Sequence, residues 1–322
     1  MKLFATCIAV LSAAAAMIAG ASAQDFPNRP LRIIVPFAAG GPNDVAARLI
    51  AESLRTPLGQ SVVVENRGGG GGVAGAEVVA TSAPDGYTML LGAAGPLVVS
   101  PSIKALRYDV AKDLAPLAQV YRSAQVLAVH PKLGVKTVAE FVAYAKANPS
   151  KVNVGSAGVG TLPHLSIEMM NREAGTGLVH VPYRGTSGAL TDLLGGQIEA
   201  LFGDVAVLAP NIVTGKLIAL AVTSPDRSSL LPDVVTMAEA RFPALETESW
   251  GGLLLPTGVP ADVFAKLNVA AQAALAAPAF REGSKKQGWS NLTTSPDLFG
   301  KLIQRETAKW GPLVKSGNFK ID

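Results

Sequence analysis

Short apolar runs rich in β-branched residues recur along this chain, and segments with helical spacing lie between them. Runs at 32–37, 61–65, 88–91, 126–129, 152–155, 179–181, 200–202, 217–223 and 252–255 read as strands. Helical spacing covers about 45–54, 75–81, 138–147, 163–173, 187–194, 263–276 and 296–314. Such alternation predicts an α/β architecture with largely parallel sheets. The pattern restarts in the middle. The run 126–129 leads into His130 and Pro131, then into a helix opened by Thr137 and Glu140, a capping-box spacing. Near Trp250 a further strand feeds a long alanine-rich helix. A chain that leaves one lobe, builds a second and returns makes two crossings, which is the geometry of a hinged clamp. The expected division is residues 24–125 with 251–322 in lobe I, and 126–250 in lobe II.

The first 23 residues stand apart. Lys2, an apolar stretch to about Ile18 and Ala21-Ser22-Ala23 have the charged start, apolar core and small-residue cleavage site of a secretory signal peptide. The mature chain is then expected to be soluble in the periplasm. Cys7, the one cysteine, falls in the removed segment, so no disulfide or thiol chemistry is expected afterwards. Removal also takes Lys2, leaving 27 basic against 24 acidic residues, a net charge of +3. The basic residues form no cluster and only 6% of residues are aromatic, which argues against nucleic-acid binding. The balance is compatible with small anionic ligands.

Three strand–glycine–helix junctions carry the chemistry. In the first, Val35 leads through Phe37, Ala39, Gly40 and Gly41 to Pro42, Asn43 and Asp44. The glycines permit a tight turn, and Asn43 or Asp44 can receive a first-turn N–H. Free N–H groups at such a helix start favour an anion, although an ordinary βα turn has the same look. The second junction, Gly68 to Gly75, contains a formal G-x-G-x-x-G. A dinucleotide site would also need an acid at the end of the next strand, where this chain has Ala93 to Pro96. The third gathers Ser156, Gly158, Gly160, Thr161 and His164 around a helix whose first turn accommodates Pro163. Its backbone amides and short polar side chains suit a carboxylate or phosphate, and a purely structural turn is the alternative. Downstream, Tyr183 leaves a strand towards another helix start, and Asp204 follows the run 200–202.

An exported hydrolase is the rival of a different class, and it requires a nucleophile, a base and an orienting acid. Ser156, His164 and Asp204 can be drawn as such a triad, but no G-x-S-x-G elbow is present. No catalytic residues, metal ligands or cofactor are assigned, since no His/Cys/Asp group shows ligand spacing.

Taken in order, several segments resemble one family: 25–30, 35–44, 64–67 with its glycines, 84–88, 155–165, 179–185, 193–204, 215–223 and 231–240. The chain resembles the Bug (TctC-like) family, extracytoplasmic solute-binding receptors of tripartite tricarboxylate transporters. The resemblance implies a two-lobed type II periplasmic-binding-protein fold with a ligand cleft between the lobes. It also implies a small carboxylate as ligand (a di- or tricarboxylate, an acidic amino acid or an aromatic acid), membrane transporter subunits as partners, and a monomer. Service to a signalling partner is the alternative with the same clamp. Carried over, the first turn supplies Phe37, Ala39, Gly40, Gly41, Asn43 and Asp44. The second supplies Ser156, Gly158, Gly160, Thr161 and His164, with Tyr183 and Asp204 at the far end of the ligand. The chain departs from the pattern where Ala93 to Pro96 replace polar residues, which makes that wall smaller and more apolar. It departs again at Gly203, where an Asp is frequent, with Asp204 next to it.

Overall fold

The computed structural model describes residues 26–290, 292 and 294–316. The expected signal peptide, residues 1–23, lies outside the described residues. Among the described residues, nine strands lie in the order β2-β1-β3-β9-β4-β7-β5-β6, with β8 paired to β4. At one end, β1 (Leu31–Val35) lies parallel between β2 (Val62–Asn66) and β3 (Thr88–Ala93). At the other, β5 (Asn153–Ser156) lies parallel between β6 (Val179–Pro182) and β7 (Ala200–Asp204). In β1 only Arg32 is exposed, the near-continuous apolar pattern of a strand covered on both faces.

Two long strands join these halves, and both run antiparallel to their neighbours. β4 (Leu114–Val129) spans 16 residues; its first part, up to Ala124, pairs with β9 (Glu248–Pro256). From Gln125 onwards it pairs with β7, and beside it lies β8 (Ile218–Val222). The expectation of largely parallel sheets is therefore corrected at the centre, where the chain crosses and returns. The run 126–129 is only the end of β4. Arg122, Ser123 and Gln125 interrupt the apolar pattern before that run: Arg122 pairs with Glu248 of β9 at 2.8 Å, Ser123 stands opposite Ser249, and Gln125 Nε2 donates to Ser249 Oγ at 3.2 Å.

Among the described residues nine helices have eight residues or more. They are α1 (Pro42–Leu58), α2 (Val73–Ala80), α3 (Val138–Ala147), α4 (Leu162–Ala174), α5 (Thr186–Leu194), α6 (Val205–Val213), α7 (Ala261–Ala276), α8 (Pro278–Lys286) and α9 (Pro296–Ser316). Helix α1 stops where Gly59, left-handed at φ 64°, returns its N–H to the Arg55 carbonyl. The start of α3 uses the expected cap, with the Glu140 N–H donating to Thr137 Oγ1 at 3.1 Å. Its reciprocal half is displaced by one residue: Glu140 receives the N–H of Lys136 at 2.7 Å. Helices α6 and α8 fall outside the expected set. Pro210 sits inside the first, and the second is short and rich in Lys and Arg.

Glycine sets how closely the first helical layer approaches. A Cβ on Gly75 would stand 2.7 Å from Pro36 Cα and 2.8 Å from the Arg67 carbonyl oxygen, so α2 packs backbone to backbone against the end of β1. One apolar cluster joins residues of both sheets, from Ile34 and Leu90 to Phe141 and Met170, with the fully buried Trp310 of α9 among them.

Candidate functional site

Four helices begin at the C-terminal ends of parallel strands: α1 after β1, α4 after β5, α5 after β6 and α6 after β7. Among the described residues, no side chain caps the N-terminus of any of the four. In open α/β sheets, ligands lie in the crevice outside these strand ends. Uncapped N-termini carry free N–H groups and the positive end of the helix dipole.

In the first turn, Phe37, Ala39, Gly40 and Gly41 form the bend. Gly40 takes φ 85°, and nothing stands within 4 Å of where its Cβ would be. Asp44 is buried and turned back into the bend. It accepts the Gly40 N–H at 3.0 Å and both guanidinium bonds of Arg48 at 3.0 Å. Burial alone would raise its carboxyl, but hydrogen bonds from Arg48, Gly40 and Asn66 hold it below the usual carboxylate range. Asp44 thus fastens the turn. Asn43 faces elsewhere: its Oδ1 accepts the Tyr121 hydroxyl at 3.0 Å and lies 3.1 Å from where a Cβ on Gly251 would stand. Asn43 therefore meets both crossing strands. Against this turn, the ring of Phe37 lies 3.2 Å from a Cβ placed on Gly72 and 3.7 Å from one on Gly95, while Pro96 closes in at 3.0 Å from the same Gly72 position. The wall at 93–96 is buried and apolar, matching its sequence.

In the second turn the polar groups largely serve one another. The Gly158 N–H donates to Ser156 Oγ at 3.0 Å, and Thr161 Oγ1 donates to the Gly158 carbonyl at 2.7 Å. Gly160 N–H donates to His164 Nδ1 at 3.1 Å, which fixes that ring nitrogen as an acceptor. Gly158 holds φ 133° with the Tyr183 carbonyl 3.0 Å from its absent Cβ, so the turn and the end of β6 touch. His164 stacks on His180 with centroids 3.7 Å apart, and His180 Nε2 stands 2.6 Å from Ser156 Oγ. Burial, reinforced by His164, pushes His180 down to about 3 and keeps its ring neutral.

Tyr183 joins this turn through its backbone, while its hydroxyl donates to Asp192 at 2.6 Å. Asp204 ends β7, buried, with Oδ2 accepting the Thr186 hydroxyl at 3.1 Å. The drawn triad does not assemble: the histidine beside Ser156 is His180, the ring packed on His180 is His164, and Asp204 bonds Thr186. Among the described residues, no group of three His, Cys, Asp or Glu could hold a metal ion.

Tyr121, Gln125, Thr186 and Ser249 escape sequence reasoning. Tyr121 and Gln125 lie within β4 and Ser249 within β9, strands whose pairing partners are remote in the chain, while Thr186 opens α5 and meets Asp204 only in the fold. The one readable signal is the run of polar residues interrupting β4.

The family model for the tripartite tricarboxylate transporter family receptor matches residues 46–319. BugT of Bordetella pertussis is 36% identical over 316 residues, covering 98% of this chain and 97% of BugT. The structure of periplasmic binding protein BugD is 36% identical with a TM-score of 0.84, over 92% of this chain and 99% of that one. MatC from Rhodopseudomonas palustris with bound malate is 32% identical with a TM-score of 0.83, over 90% of this chain and 100% of that one. A second R. palustris protein, with adipate, is 32% identical with a TM-score of 0.84, over 90% of this chain and 98% of that one. The fold is that of the two-lobed periplasmic binding proteins, and the chain belongs to the family of tripartite tricarboxylate transporter receptors.

Proposed function

We propose that this protein is a periplasmic receptor that closes on a small carboxylate and delivers it to a membrane transporter. The observation that carries this reading is the convergence of four helix N-termini without side-chain caps on one end of the strands. Preorganised N–H donors of that kind favour a carboxylate, through charge-assisted hydrogen bonds that strengthen as closure excludes water. Malate and adipate in the similar structures are of the same chemical class. The lobes are 24–125 with 251–322 and 126–250, hinged where β4 and β9 cross; the first 23 residues direct export and are cleaved. The chain works as a monomer and performs no catalysis.

Within the cleft, Phe37, Ala39, Gly40, Gly41 and Asn43 form one side, and Ser156, Gly158, Gly160 and Thr161 the other, with His164 supporting the second turn. Asp44 shapes the first turn and Tyr183 the second, and Asp204 faces the far end of the ligand. Thermal shift against a panel should show small carboxylates raising the melting temperature while the corresponding amides and alcohols leave it unchanged. Equal stabilisation by neutral sugars or by amines would overturn the reading. Gly40→Val and Gly158→Val should each abolish that response in a folded protein, because both positions have positive φ, at 85° and 133°.

A further inference from the structure

Where the two crossing strands pair, β9 lacks side chains at two successive positions and β4 carries extra residues. A Cβ on Gly251 would overlap the Tyr121 ring. One on Gly252 would overlap the ring of Phe299 in α9 and stand 2.7 Å from the Ala118 carbonyl oxygen. Successive residues of a strand face opposite ways, so the two glycines let an aromatic ring close on β9 from each face. Opposite them the pairing of β4 slips twice, between Pro116 and Ala118 and between Gln119 and Tyr121, which makes Leu117 and Val120 extra residues. Bulges of this kind bend a strand and re-aim its side chains. Glycine on one strand and bulges on the other give this point the freedom to turn, and β4 leaves β9 for the second sheet just beyond it, at Gln125.

Tyr121 is fastened on several sides at that point. It is buried, and its hydroxyl donates to Asn43 Oδ1 at 3.0 Å. Asn43 belongs to the first turn of α1, directly after Gly41 and Pro42. The Tyr121 ring stacks on Trp289, just past α8, with centroids 4.9 Å apart and 29° between the planes. The N–H of the next residue, Ser290, donates to the Arg122 carbonyl at 3.1 Å and so ties that segment to β4. Burial, and after it the charge of Asp204 in the second sheet, hold the phenol well above its ordinary value, so the hydroxyl keeps the proton it donates. Resting on the receptor reading above, we propose that Tyr121 is a positioning residue that couples the first glycine turn to the pivot between the two sheets. The ring cannot follow Gly251 through a rotation without drawing on Asn43, and Asn43 cannot shift with its turn without drawing on the ring. Occupation of the turn and rotation at Gly251 and Gly252 are then a single event. In this role Tyr121 needs no contact with the ligand, so it acts on every ligand alike, through the fraction of the protein that is ready to bind.

Calorimetric titration of the wild type and of Tyr121→Phe with malate, succinate, glutarate, adipate and benzoate tests this. Tyr121→Phe keeps the ring and its stack and removes only the hydroxyl. It should weaken every acid that binds the wild type by one common factor, about fivefold. In an Asn43→Leu background, where the acceptor is already lost, Tyr121→Phe should weaken binding no further. Gly251→Ala displaces the ring with its hydroxyl intact and should again weaken all binders by a common factor; it decides in place of Tyr121→Phe should that variant fail to fold. Unchanged affinities in the folded variant overturn the coupling and leave the receptor reading standing. So do factors that differ from acid to acid, which would make Tyr121 a ligand contact. A full effect that persists beside Asn43→Leu does the same, because the loss then bypasses the first turn. If none of these acids binds the wild type, the receptor reading fails and the coupling with it.

Discussion

Asp44 and Asp204 are both buried aspartates beside helix starts, and their surroundings drive them in opposite directions. At Asp44, hydrogen bonds from Arg48, Gly40 and Asn66 outweigh burial and keep the carboxylate ionised. At Asp204 burial prevails, and the carboxyl rises from 3.8 to about 6. The folded protein therefore binds a proton at Asp204 that the unfolded chain has already released. Stability from this group is fully present below about pH 4 and is lost as pH rises through about 6. His180 acts with the opposite sign, since its folded value of about 3 lies below 6.5 and its stability is lost as pH falls. Comparing wild type with Asp204→Asn separates the two. The unfolding free energy of the wild type, minus that of the variant, should decline between about pH 4 and about pH 6 and level off above about pH 7. A difference that stays flat in urea titrations over that range would remove the buried charge at Asp204.

The strand–glycine–helix junctions distinguish glycines that shape the backbone from glycines that let elements meet. Gly40 has an open position at its absent Cβ, so Gly40→Ala meets only the strain of a left-handed backbone, about 1 kcal/mol. Gly75 is the other kind: a methyl group there strikes the backbone of Pro36 and Arg67. Gly75→Ala should cost about 3 kcal/mol by urea unfolding, because α2 must move away from β1. Equal costs would mean that α2 shifts freely. The junctions were legible because strand, glycine turn and helix are contiguous there: β1 runs into α1, β2 into α2 and β5 into α4. β4 was not legible beyond its end, because Gln125 and Ser123 are justified by Asp204 and Ser249, residues far along the chain. The candidate site divides in the same way. Its backbone turns could be read locally, whereas the Tyr121–Asn43 bond and the Asp204 surroundings exist only once both crossings are made.

At the scale of the whole molecule, β4 pairs in both halves, β9 returns the chain to pair with β3 and the first part of β4, and α9 reaches across as well. Lys309 of α9 donates to the Glu246 carbonyl at 2.6 Å, just before β9, while Trp310 is buried among residues of both sheets. In the proposed receptor, closure on a ligand turns one sheet against the other about these strands. Small-angle X-ray scattering should give a smaller radius of gyration when a stabilising carboxylate is added, and an unchanged profile would mean that capture needs no closure.

The sharing of β4 also limits how such receptors can be recombined. Leu114 to Ala124 follows the register of β9, and Gln125 to Val129 that of β7 and β8, within one unbroken strand. A chimera taking one lobe from this protein and the other from a relative must splice twice inside hydrogen-bonded strands, and each splice must preserve the pairing on both sides. New ligand preferences in this architecture are thus more readily reached by altering turns and strand ends in place than by exchanging halves.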